Sequence, residues 1–198
     1  MREWLDARIP RVDLTEFAEP DRMRLARSLG VLTRALGEGG TGAAEAVAVV
    51  RGELGRGGSP RADDVLRTHL AIALAARSAE VRDVAAGGAL VVTGARQAAE
   101  CRALADEILA LSPHPGLSGF AAELHRRLDR AERWRWVEPD VGTAAVVGLA
   151  VLVLPFVGGA IGNAAVAVGG VVVGGALVFG FVMAHRKRQW AVDAEEVR

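Results

Sequence analysis

The chain has 198 residues, enough for one domain with its own core and a smaller appendage. Its 24 Lys and Arg balance 24 Asp and Glu, so no excess of positive charge points to nucleic acid. The single cysteine, Cys101, excludes an intrachain disulfide and a cysteine-rich metal site, and the reducing cytosol is the expected setting.

The opening residues, "MREWLDARIPRVDLTEF", are charged throughout and carry no apolar core of a secretory signal. Asp13 with Glu16 fits a helix cap and its reciprocal carboxylate, Pro20 suits a first helical turn, and Leu25, Leu29, Leu32 and Leu36 form a buried stripe ended by Gly37. A second helix follows from Ala43 to about Leu54, with Thr41 as its cap. Ser59-Pro60 opens a long helix carrying Val65, Leu66, Leu70, Ala73 and Leu74 on its inner face. The stretch "GGALVVTGARQ", Gly87 to Gln97, allows a short strand, but the expected form is a helix softened by glycine. Its glycines miss the spacing of a phosphate-binding turn, and no second strand is expected to pair with it. Cys101, Leu104, Ile108 and Leu111 mark the next helix, ended by "SPHPG". Ser118 starts another, with Leu117, Ala121, Leu124, Leu128 and Ala131 on one face.

No catalytic, cofactor-binding or metal-binding signature emerges from this region. Cys101 lies on an apolar stripe, where a thiol behaves as a small hydrophobe. His69, His114, His125 and His185 stand at no metal-ligand spacing, and Asp63 and Asp64 read as first-turn carboxylates that complement the helix dipole. "HRRLDRAERWRW" (His125–Trp136) mixes arginine and tryptophan as nucleic-acid surfaces do, but acidic residues interrupt it, and it ends against an uncharged tract.

That tract is the strongest signal in the chain. Residues 1–140 carry 20 basic and 21 acidic side chains, residues 141–184 carry none, and residues 185–198 carry four basic and three acidic. A single helix of 44 residues would be about 66 Å long, against about 30 Å of hydrocarbon, so two spans with a turn are expected, about 141–161 and 164–184. Gly162-Asn163 is the expected turn, with Pro155, Gly158 and Gly159 supplying the alternative. Ten of the 21 residues from Ala164 to Ala184 are Val, Leu or Phe, which favours insertion by about 3 to 6 kcal/mol before the smaller residues subtract from it. A soluble alternative hides the hairpin inside an oligomer. Arg133, Trp134, Arg135 and Trp136 on one flank and Arg186, Lys187, Arg188 and Trp190 on the other are expected at the membrane interface, leaving both termini cytoplasmic. Gly162, Ala165, Gly169, Gly170, Gly174, Ala176 and Gly180 form small-residue ladders that let helices approach closely. They point to contact between the two spans and leave contact between copies of the chain open.

The expected fold is therefore all-α. A cytoplasmic bundle of about five helices over 1–138 precedes a transmembrane hairpin over 139–184 and a short basic-then-acidic tail over 185–198. The expected function is that of an inner-membrane interaction protein, not an enzyme, whose partners are the lipid bilayer, an unidentified protein and a second copy of itself. A soluble helical domain followed by short paired spans resembles, in layout alone, effectors of bacterial defence systems, which implies a membrane-perturbing role. The alternatives are a passive anchor or scaffold subunit, and an enzyme whose site one sequence does not disclose.

Overall fold

The structure, a computed structural model, describes residues 1–37, 42–85, 87–111 and 114–197. It is mostly helical and divides into two compact units, Met1–Glu132 with Trp190–Arg198, and Arg133–Gln189. Thr41, expected as a helix cap, lies outside the described residues.

The first unit opens with α1 (Arg2–Asp6) and a 3-10 turn, Leu14–Glu16. Asp13 caps that turn, accepting the Thr15 N–H at 2.9 Å, so the expected cap serves one turn instead of a helix. The helix itself, α2 (Glu19–Leu36), starts one residue before Pro20, where a missing N–H costs nothing. Then come α3 (Ala43–Gly55), α4 (Pro60–Val81), α5 (Ala95–Ala110) and α6 (Pro115–Ala131). Ser59 Oγ accepts the Ala62 N–H at 3.3 Å, confirming Ser59-Pro60 as a start signal. His114, not Ser118, opens α6: Pro115 takes the first position and His114 Nδ1 accepts the Gly116 N–H at 3.2 Å.

Helix α4 is the centre of the bundle and packs against α2, α3, α5 and α6. It has more than the one inner face expected, because every residue from His69 to Ala76 is buried. Ala71, Ala73, Ala75 and Ala76 allow this, since a methyl group lets neighbouring backbones approach on several sides. Leu66, Ile72 and Leu74 of α4, with Leu25, Leu32, Val50, Ile108, Leu117 and Leu128 from its neighbours, fill the core, each contributing about 1.5–3 kcal/mol of burial.

Between α4 and α5 the structure departs from the expected helix. Residues Asp83–Val84 (β1) pair antiparallel with Leu90–Val91 (β2), joined by a turn in which Gly88 adopts φ +76°. Thr93 and Gln97 both bond the Asp83 carboxylate, which locks the end of β2 to the start of β1. The strand partner that sequence reading did not find lies immediately upstream, in a hairpin, so no βαβ phosphate site forms.

A buried ionic network ties α2 to α4. Arg24 Nη1 donates to Asp21 and Nη2 to Asp63, both at 2.8 Å, while Nε and Nη2 also reach the Glu53 carbonyl at the end of α3. Asp63 thus does more than complement a helix dipole.

The second unit holds a two-stranded ribbon and two apolar helices. Trp134–Trp136 (β3) pairs antiparallel with Arg186–Arg188 (β4), and between them run α7 (Val141–Ala160) and α8 (Ala164–His185). The chain continues into α9 (Gln189–Val197).

Candidate functional site

The site is the helix pair and its base. Asp140 caps α7, its carboxylate accepting the Thr143 N–H at 2.9 Å, and Thr143 Oγ1 donates to the same oxygen at 3.2 Å. Helix α7 closes at Ala160, Gly162 turns the chain with φ +66°, and Asn163 Oδ1 caps α8 through the Ala165 and Val166 N–H groups at 3.1 and 3.2 Å. A positive φ costs glycine nothing, which explains this residue at this position. Pro155, Gly158 and Gly159, expected to supply an alternative turn, are all helical. The i+4 ladder runs past them because the turn three residues on already meets the geometric need.

Pro155 has no N–H to offer the Val151 carbonyl. Gly174 faces that same residue: a Cβ there would lie 3.6 Å from Val151 Cα and 3.7 Å from its carbonyl oxygen. Gly170 and Gly174 are the buried residues of α8, which packs along α7. Ala165, Gly169, Ala176 and Gly180 are exposed, and a Cβ at Gly169 or Gly180 would meet nothing within 4 Å.

Several large side chains of both helices face outward. Leu152 is 73% exposed, Phe156 78%, Val172 65% and Phe179 63%. Among the described residues one helix, Ala164–His185, is long and apolar enough to cross a membrane, with a mean hydropathy of 2.3. The apolar part of α7, Val141–Val157, is shorter.

At the base, Trp134 stands opposite Arg188, Arg135 opposite Lys187 and Trp136 opposite Arg186. Alternation puts both tryptophans on one face, with the Arg188 guanidinium 4.3 Å and the Arg186 guanidinium 5.8 Å from the Trp134 ring centre. Trp136, Phe181 and His185 form an aromatic cluster, and His185 Nδ1 lies 2.8 Å from the Phe181 carbonyl. Hydrogen bonds from Val137 N–H to His185 O and from Gln189 N–H to Arg133 O close the two ends of the ribbon. Sequence reading assigned these tryptophans and arginines to the flanks of helices and missed the strands. The alternating Trp-Arg-Trp was the available signal. Trp190 packs against the core of the first unit.

The remaining candidates make local contacts. Cys101 is fully buried, and burial pushes its thiol above the usual range. His69 Nδ1 lies 2.8 Å from Ser28 Oγ with both residues buried, and His125 pairs with Asp106 at 3.0 Å. Asp64 pairs with Arg67. Among the described residues no group of three or more His, Cys, Asp or Glu could hold a metal. No protein-family model matches the chain, and comparison with curated proteins and with solved structures gives no match.

Proposed function

We propose that this is an inner-membrane interaction protein in which the first unit engages a partner protein on the cytoplasmic side and α7 and α8 anchor it as two antiparallel spans. The observation that carries the proposal is the outward-facing apolar surface of the helix pair. Leu152, Phe156, Val172 and Phe179 stand exposed on helices without a charged residue between Val141 and Ala184. In water each such side chain forgoes about 1.5–3 kcal/mol of burial, whereas lipid covers them all. The Trp134, Trp136, Arg186 and Arg188 ribbon supports the same reading, because tryptophan and arginine suit the headgroup layer. Alkaline carbonate extraction tests it: the chain stays with the membrane, and release into the supernatant overturns the proposal. For topology, cysteine at Asn163 in a Cys101→Ala background labels from outside, and labelling only from the cytoplasm refutes the hairpin.

Within this class, the sharper version is a membrane-perturbing effector that clusters through its outward small residues, Ala165, Gly169, Ala176 and Gly180. A specific observation favours the passive anchor instead. Thr143 and Asn163, the polar side chains within 141–184, stand at helix ends, where the Thr143 hydroxyl donates to Asp140 and Asn163 Oδ1 caps α8, so neither supplies polar lining to the middle of a span as a conducting pore needs. Replacing residues 137–185 with an Asn-Gly turn joins Trp136 to Arg186, which already face each other. Growth arrest and dye leakage by the full chain, lost in this deletion, favour the effector; harmless membrane localisation favours the anchor.

A further inference from the structure

Arg82 follows directly on α4 and is 7% exposed, yet no carboxylate pairs with it among the described residues. Its Nε donates to the Ser78 carbonyl at 2.7 Å, and Nη2 approaches only the Met1 sulfur at 3.9 Å, a weak acceptor. Nη1 has no partner among the described residues. The other buried charges of this unit are compensated: Arg24 by Asp21 and Asp63, and Glu53 by Arg27 and Arg56. Burial pushes the Arg82 guanidinium below the usual arginine range; Cys101 opposes the fall and Arg127 adds to it.

Arg82 lines a cleft of about 320 Å³ with Arg127 and the apolar side chains of Met1, Leu90, Phe120 and Leu124. Glu123 also borders it, but its carboxylate is already held by Arg126, Arg127 and Arg130 at 2.7, 3.1 and 3.2 Å. The pair with Glu123 uses Arg127 Nε, leaving its Nη groups outside that bond. The lining is therefore largely apolar, with two guanidinium groups, buried Arg82 and exposed Arg127, and one carboxylate, Glu123, that is already paired. Its volume falls at the lower end of the range for small-molecule sites, about 300–1,000 Å³. A planar guanidinium with unused N–H groups matches a carboxylate or phosphate edge, and burial strengthens that match by excluding water.

We infer that this cleft binds a small organic anion, an acidic head on an apolar body, with Arg82 holding the head and Arg127 guiding it in. The site makes the first unit a receiver of a chemical signal as well as a docking module. It lies wholly within that unit, so it stands or falls independently of the membrane proposal.

The test is calorimetric titration of the full chain in detergent, with blank micelles subtracted, using 4-phenylbutyrate, its neutral analogue 4-phenylbutanol, and butyrate. The expected result is one site for 4-phenylbutyrate, with binding at least about tenfold weaker for the alcohol, which lacks the charge, and for butyrate, which lacks the body. Arg82→Met weakens 4-phenylbutyrate by at least about tenfold, and the exposed Arg127→Gln weakens it by a smaller factor that shrinks with added salt. If Arg82→Met does not fold, Arg127→Gln and the salt dependence of the unaltered chain carry the decision. Equal binding of acid and alcohol, equal binding by the variants, or no 4-phenylbutyrate heat up to about 10 mM overturns the inference.

Discussion

Lowering the pH from 7.5 to 5 should destabilise the first unit through one residue, His69. Its ring is 3% exposed, Nδ1 is committed to Ser28 Oγ at 2.8 Å, and Nε2 is buried without a hydrogen-bond partner. A second proton would place a full charge in the buried interior of the unit, and burial accordingly lowers the His69 pKa from 6.5 to about 4. The folded state therefore binds fewer protons than the unfolded state between these values, so stability falls as the pH drops below 6.5 and the loss is complete near 4. At pH 5 the unfolded histidine is almost wholly protonated and the folded one is not, which costs about 2 kcal/mol relative to pH 7.5. The carboxylates that arginine or hydrogen bonds hold below their usual range, such as Asp21 and Glu123, lose their contribution only under more acidic conditions, which leaves this window to His69. Urea unfolding of the detergent-solubilised chain, followed at pH 7.5, 6.5, 5.5 and 5 through amide exchange in α2 and α4, reads the slope. His69→Gln should flatten it. Stability that stays constant over this range, or an undiminished slope in His69→Gln, refutes the assignment of a buried neutral imidazole.

Arg24→Met should cost about 3–5 kcal/mol in the same assay, because Asp21 and Asp63 would face each other in a buried site without their shared cation. At the contact between α7 and α8, Gly174→Ala should be neutral or slightly stabilising, since the added methyl meets Val151 at ordinary contact distance and removes about 1 kcal/mol of glycine entropy. Gly174→Leu should separate the two helices, whereas Gly180→Leu should not; disulfide trapping between cysteines placed at Val147 and Val178, which the antiparallel register set by Val151 against Gly174 brings level, distinguishes them. Cys101 should react with maleimide only on unfolding, and rapid labelling of the native chain would contradict its burial.

Local signals in the sequence determined most of the helices of this protein. Ser59-Pro60 starts α4 because a hydroxyl cap and a proline without N–H are both satisfied within one turn, and the Gly162-Asn163 turn follows from a positive φ and an amide that caps the next helix. The absence of charge from 141 to 184, with the length limit of a bilayer, is likewise a property of the chain alone. What depends on partners distant in sequence was decided by the tertiary structure. Periodicity could not show that α4 would be enclosed on all sides from His69 to Ala76, because that depends on four other helices reaching it. Nor could it choose between Gly170 with Gly174 and Gly169 with Ala176 as the inner face of α8: both ladders repeat at helical spacing, and only the approach of Val151 separates them. The ribbon joins residues 134–136 to 186–188 across two intervening helices, so its pairing is invisible to any local window. Arg82 shows the same in electrostatic form, since a single arginine at the end of a helix becomes a candidate site only when folding removes its water and supplies no carboxylate among the described residues.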